Sequence, residues 1–134
     1  MFDKFFPDRY VASTYVIDFE GLYKEGVRGL IFDIDNTLVP HGAPADERAR
    51  ALFKRLKSIG FRCCLISNNQ KPRVEMFNKD IQVDYVYNAH KPSIRNYLKA
   101  MEIMGTDRDS TVFIGDQLFT DVWGANVPGS RIFW

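Results

Sequence analysis

Cysteine is scarce in this chain of 134 residues: there are two, side by side as Cys63 and Cys64 in "FRCCLIS". Neighbours on a strand point to opposite faces, which makes them a poor disulfide pair. Histidine is equally rare, and no His or further Cys stands at metal-ligand spacing, so a zinc site is not expected. Reduced, buried thiols fit an intracellular protein. A surplus of charge is missing too, since 18 Lys+Arg against 17 Asp+Glu leave a net charge of +1. No bulk field therefore recruits nucleic acid or an anionic membrane. No apolar run approaches the roughly 18 residues of a membrane span. The opening "MFDKFFPDRY" carries Asp3, Pro7 and Asp8 and no apolar core, so it does not read as a signal peptide. Repeats, linkers and low-complexity stretches are absent. The composition, 46% hydrophobic and 26% charged, is that of one ordinary globular domain spanning 1–134.

Strand-like and helix-like patterns alternate along the chain. "GLIFDID" (29–35), "FRCCLIS" (61–67), "VDYVYN" (83–88), "STVFIGD" (110–116) and the final "RIFW" read as strands. Between them, "ADERARALFKRLKSIG" (45–60) carries the stripe Ala49, Leu52, Phe53, Leu56 and Ile59 of an amphipathic helix, with Gly60 as its stop. "KPRVEMFNK" (71–79) is helical, with Pro72 in a tolerated first-turn position. "KPSIRNYLKAMEIMG" (91–105) is a helix expected to turn Ile94, Tyr97, Leu98, Met101 and Met104 inward, and "TDVWGAN" (120–126) begins a short one. The locally basic stretch 46–62 (Arg48, Arg50, Lys54, Arg55, Lys57, Arg62) reads as a solvated helix face. This alternation implies an α/β fold, a Rossmann-like doubly wound parallel sheet of about five strands.

Ligands in such sheets bind beyond the carboxyl ends of the strands, and polar residues gather there. Asp33 and Asp35 end the first strand, and Ser67-Asn68-Asn69 the second. His90-Lys91 follows the third, and Gly115-Asp116-Gln117 ends the fourth. Carboxylates so close repel one another unless a cation sits among them. Oxygen ligands suit a hard ion, and Mg²⁺ takes one or two carboxylates plus waters and substrate phosphate. Asp33 and Asp116 would supply side-chain oxygens, and Asp35 its backbone carbonyl while its side chain turns elsewhere. An aspartate anchored there can attack phosphorus, and a second carboxyl can serve as general acid and then general base. Lys91, Ser67 and backbone amides after Asp33 would hold the phosphoryl oxygens.

The ordered set "DIDNT" (33–37), "SNN" (67–69), "HKP" (90–92) and "GDQLFTD" (115–121) resembles the four motifs of the haloacid dehalogenase superfamily. "FDIDNTLV", "ISNN", "GDQLFTDVWGAN" and the opening "KFFPDRYVASTYVID" resemble the YqeG-type branch of its subfamily IIIA, so the likeness covers nearly the whole chain. The resemblance implies Asp33 as nucleophile and Asp35 as general acid/base, an aspartate there being similar to the phosphatases of the superfamily. It also implies Thr37 as the brace of the motif-one loop, Ser67 and Lys91 as the phosphate-binding pair with Asn68 beside them, and Asp116 as metal ligand. Asp121 is the second acidic position, reaching the metal through water.

Val39 to Asp46 leaves room for only a short flap, and Asn69 to Lys91 is consumed by one helix and one strand, so no cap domain is expected. An open site suits a bulky substrate. The branch is similar to phosphatidylglycerophosphate phosphatases, which makes a phospholipid at a membrane surface one expected partner. A protein, nucleotide or sugar phosphate, or a non-catalytic phospho-dependent binding role, are the alternatives. The aromatics Phe2, Phe5, Phe6, Tyr10 and Tyr15 fit either a membrane interface or the core. The expected location is cytoplasmic, free or peripheral to the membrane. The chain stops at Trp134 where relatives in that branch usually run on, which bears on the cover of the last strand and on substrate choice.

Overall fold

The computed structural model describes residues 14–87 and 94–115, and 131–133 as backbone. Its elements in chain order are α1 (Phe19–Lys24), β1 (Gly29–Asp33), α2 (Glu47–Ile59), β2 (Arg62–Ile66), α3 (Lys71–Asn78), β3 (Asp84–Val86), α4 (Ile94–Met104), a short 3₁₀ turn (Arg108–Ser110), β4 (Thr111–Ile114) and β5 (Arg131–Phe133). The five strands form one parallel sheet in the order β3-β2-β1-β4-β5. β1 is central and wholly buried, which is why it reads as an unbroken apolar run rather than an alternating one.

Alternate residues of the strands feed two apolar layers. Leu30, Phe32, Cys63, Leu65, Val112 and Ile114 face α1, α2 and α3. Ile31, Cys64, Ile66, Val86 and Phe113 face α4. The sheet is therefore covered on both faces, as a doubly wound fold requires. Cys63 and Cys64 fall in opposite layers and are both free and buried, and burial pushes each thiol up to about 12. Phe32 meets Phe53 of α2 edge-on at 5.1 Å between centroids, and Tyr97 of α4 meets Phe113 at 4.9 Å. Such pairs add specificity to the area they bury.

α2 is bounded by its own chemistry. The Asp46 carboxylate accepts from Ala49 N–H at 2.8 Å, and Gly60 closes the helix at φ 121° while Gly60 and Phe61 N–H both donate to Leu56 C=O. α4 departs from expectation. It buries Tyr97, Ala100, Met101 and Met104, whereas Ile94 and Leu98, expected inward, are 42% and 45% exposed. Tyr97 and Met101 fix the inward stripe, and at 100° per residue Leu98 then turns onto the flank. The first strand is also shorter than the 29–35 expected. It ends at Asp33, and Asp35 lies beyond it in a turn, with only an isolated bridge to Val39.

Among the N-terminal aromatics only Tyr15 is described, and it packs on the core. Its hydroxyl donates to Leu38 C=O at 2.8 Å, and Arg48 stacks 4.2 Å over its ring. Phe2, Phe5, Phe6 and Tyr10 lie outside the described residues. Among the described residues no helix is long and apolar enough to cross a membrane.

A Cβ on Gly60 would stand 2.8 Å from Tyr23 Oη, in a left-handed backbone, whereas one on Gly26 (φ 107°) would meet nothing within 4 Å. Gly26→Ala should then show backbone strain alone, about 1–2 kcal/mol, and Gly60→Ala a larger loss, both read by urea unfolding.

Candidate active site

The carboxyl edge of the sheet is built by register. Asp33, the last residue of β1, pairs with Ile66, so Ser67 stands one step beyond it on the neighbouring strand. Ser67 N–H donates to Val86 C=O at 3.0 Å, and its hydroxyl accepts from Asn69 N–H at 3.0 Å. Asp33 and Ser67 are both buried, 6% and 3% exposed, which is unusual for a carboxylate and marks a site rather than a surface. On the other flank Ile114 pairs with Phe32, which brings Gly115 alongside Asp33. A Cβ at Gly115 would lie 2.7 Å from Asp33 Oδ2, so only glycine lets β4 end against that carboxylate.

The chain after β1 folds back at once. Thr37, Leu38 and Val39 N–H all point to Ile34 C=O at 3.0–3.4 Å, and Asn36 adopts φ 62° with its N–H donating to Val39 C=O at 2.7 Å. Asn tolerates this left-handed conformation better than most residues. Thr37 is fully buried, and among the described residues neither its hydroxyl nor Asn36 Oδ1 has a hydrogen-bond partner.

The turn carries the Asp35 side chain away from Asp33 to a separate set of donors. Asp35 Oδ1 accepts from Arg73 Nη2 at 2.7 Å and from Gly42 N–H at 2.7 Å, and Oδ2 accepts from Asn69 Nδ2 at 3.0 Å. His41 Nδ1 stands 3.9 Å from Oδ1. Burial raises the Asp35 pKa, but the Arg73 and Gly42 hydrogen bonds with the charges of Arg73 and His41 outweigh it and hold the carboxyl below the usual carboxylate range.

Of the residues expected at the site, the structure brings Asp33, Asp35, Thr37, Ser67 and Asn68 to this edge, Asn68 exposed and the others buried or half-buried. Lys91, Asp116 and Asp121, with His90, lie outside the described residues. Among the described residues no three His, Cys, Asp or Glu stand together as a metal would need, the expected set counting Asp116 as a member. Arg73, Asn69 and Gly42 are additions made by the structure. Arg73 and Asp35 are 38 residues apart, so no spacing pattern links them. One sequence signal was present: an arginine in the first turn of a helix with no acidic residue there opposes the helix dipole and calls for an anionic neighbour. A cavity of about 570 Å³ lies elsewhere, at the amino ends of β2 and β3, walled by Lys54, Lys57, Arg62, Asp80 and Asp84 and away from the carboxylates.

A parallel doubly wound sheet with one carboxylate ending its central strand and a second just beyond it, and no inserted domain between β1 and β3, is the arrangement of a hydrolase of the haloacid dehalogenase type. The comparisons agree. Residues 40–127 match the haloacid dehalogenase-like hydrolase family. The chain is 37% identical over 131 residues to the probable phosphatase YqeG of Bacillus subtilis, covering 96% of this chain and 76% of that protein. It is 22% identical over 95 residues to the glyceraldehyde 3-phosphate phosphatase of Pyrococcus abyssi, covering 64% of this chain and 40% of that one. Among solved structures it resembles a hypothetical protein from Xanthomonas campestris (TM-score 0.64, 20% identity, 87% of this chain and 70% of that one). It also resembles the N-terminal part, containing a phosphatase domain, of a Bacteroides fragilis protein complexed with Mg (TM-score 0.60, 22% identity, 91% of this chain and 40% of that one). The chain belongs to the haloacid dehalogenase-like hydrolase family and is a phosphatase of that family.

Because the folded-state pKa of Asp35 is depressed, the stabilisation from its donors is complete above the ordinary carboxylate pKa of about 4 and is lost as pH falls through the lower folded value. The stability gap between wild type and Asp35→Asn should therefore narrow between about pH 7 and about pH 3 in denaturant unfolding. A gap that stays constant over that range would show that Asp35 is not held as an anion.

Proposed function

We propose that the chain is a Mg²⁺-dependent phosphomonoester hydrolase that works through an aspartyl-phosphate on Asp33, with phosphatidylglycerophosphate or another bulky phosphomonoester as substrate. The observation that carries this reading is the separation of the two carboxylates. Asp33 is buried against Gly115, while Asp35, two residues on, is turned to donors of its own. Carboxylates in unlike environments take unlike roles.

In the first half-reaction an Asp33 carboxylate oxygen attacks phosphorus, the bond from phosphorus to the leaving oxygen breaks, and Asp35, in the protonated minority form that its donors disfavour, gives that oxygen its proton. In the second, Asp35 takes a proton from water, the water oxygen attacks phosphorus, and the bond to Asp33 breaks to release phosphate. General acid–base help of this kind is worth about 10²–10⁴-fold. Ser67, Asn68 and Lys91 hold the phosphoryl oxygens, and Thr37 braces the turn between the two aspartates. The space that Gly115 leaves beside Asp33 Oδ2 suits a small hard cation, held by the Asp33 carboxylate, the Asp35 backbone carbonyl and Asp116, with Asp121 through water. Mg²⁺ in that position would neutralise the charge of the carboxylates and the phosphate. The Mg complex of the Bacteroides fragilis phosphatase domain supports that choice of ion.

The bulky substrate is supported by the open edge. Only residues 34–46 connect β1 to α2 and only 79–83 connect α3 to β3, too few for a lid domain. The resemblance of the sequence motifs to the YqeG-type branch, and of that branch to phosphatidylglycerophosphate phosphatases, is what favours the phospholipid among bulky candidates.

The test is phosphate release with Mg²⁺ from phosphatidylglycerophosphate in mixed micelles, beside 4-nitrophenyl phosphate and glyceraldehyde 3-phosphate. The expected result is a preference for the lipid, loss on chelation, and an Asp33→Asn rate below about a thousandth of wild type. Asp33-dependent turnover of the small esters alone would replace the substrate. No Asp33-dependent turnover from folded, metal-loaded protein would overturn the hydrolase mechanism.

A further inference from the structure

Asp35 is unusual in how it is held. It lies past the end of β1, in a turn with a left-handed residue beside it, so no strand ladder fixes its position. Its carboxylate is located instead by donors from three places: Gly42 in the loop before α2, Asn69 after β2, and Arg73 in the first turn of α3. The two oxygens are not equivalent. Oδ1 accepts two short hydrogen bonds, from Arg73 and Gly42, which occupy both of its lone pairs. Among the described residues Oδ2 accepts one, from Asn69, which leaves it an open acceptor position there.

Arg73 carries costs of its own. Its side chain is 12% exposed, and its Nε and Nη1 are buried with no hydrogen-bond partner among the described residues. A buried donor left unsatisfied is unfavourable, and a cation in a helix's first turn opposes the dipole. Among the described residues its side chain makes one short contact in return, Nη2 to Asp35 Oδ1 at 2.7 Å.

We infer that Arg73 is the positioning residue of Asp35, anchoring Oδ1 so that Oδ2 alone is presented to the leaving oxygen of the substrate and then to water. The inference rests on the acid–base role of Asp35 proposed above. Arg73 itself touches neither substrate nor phosphorus. Removing it frees the carboxylate to rotate, and misplacement of a reacting group by about 1 Å can cost about 10²-fold.

The experiment is a double-mutant cycle in kcat and KM, with Mg²⁺ present and 4-nitrophenyl phosphate as probe, because its good leaving group keeps acid-deficient variants measurable. Arg73→Ala is expected to lower kcat about 10²-fold with KM within about threefold. Arg73→Lys, which can offer Oδ1 one N–H, should recover at least about a tenth of the wild-type kcat. In the Asp35→Asn background Arg73→Ala should cost nothing further, since a residue acting only through Asp35 has nothing left to position. A merely structural arginine would cost the same in both backgrounds, and that outcome overturns the inference, as does a wild-type kcat in Arg73→Ala. Should Arg73→Ala not unfold cooperatively, the cycle is run with Arg73→Lys, where equal losses in both backgrounds again overturn it. If wild type shows no Asp33-dependent hydrolysis of any phosphomonoester, the function proposed above falls and the role of Arg73 with it. Hydrolysis by wild type with an additive cycle sinks the Arg73 role alone.

Discussion

Two carboxylates two residues apart would share a strand face if β1 ran on through Asp35, because side chains repeat every second residue. They would then crowd one cleft and repel each other. The turn at Ile34 prevents this. Ile34 is buried and collects the N–H groups of Thr37, Leu38 and Val39 on its carbonyl, while Asn36 takes the left-handed conformation that the reversal needs. Asp33 stays with the sheet, and Asp35 swings to the loop and α3. Every other feature of the edge follows from that divergence: Gly115 is small because Asp33 stays, and Arg73 is basic because Asp35 leaves.

The sheet makes the arrangement rigid. β1 is flanked by β2 and β4 and packed on both faces, so the backbone that presents Asp33 has no freedom to shift. Ser67 inherits the same rigidity through its ladder bond to Val86. Tyr15 adds a tie from the N-terminal side, donating to Leu38 C=O at the far end of the turn. Packing energy spent on the two layers is thus transmitted to the geometry of the edge.

Much of this was legible in the residues alone. Apolar runs bounded by Gly and polar clusters placed β1, β2 and β4 to within one or two residues, and Gly60 marked the end of α2 because capping is local chemistry. The gathering of Asp33, Ser67 and their neighbours at one edge followed from parallel strands and needed no tertiary knowledge. Failures came where tertiary contact decides. Leu98 belongs to an apolar stripe by spacing, yet the angle at which α4 meets the sheet leaves it on the flank. Arg73 reads as one more surface cation until the fold delivers Asp35 to it. The end of β1 was misplaced because "DIDNT" is polar enough to end a strand at either aspartate, and the left-handed Asn36 that decides between them leaves only a weak trace in composition.

A site with no domain inserted between β1 and β3 faces a particular difficulty. Closing domains position reacting groups and expel water as substrate arrives, and here nothing between β1 and β3 is long enough to do so. Positioning must already exist in the open state. The structure has it, in a nucleophile candidate fixed by the central strand and a second carboxylate held at three points by donors from separate segments. Such preorganisation keeps strained or unsatisfied groups in place, as the Thr37 hydroxyl and Arg73 Nε and Nη1 are, with no hydrogen-bond partner among the described residues. The short connections between β1 and β3 and the over-determined Asp35 are therefore two sides of one design: where those segments bring no domain to close over a substrate, the carboxylates they carry must be placed before the substrate comes.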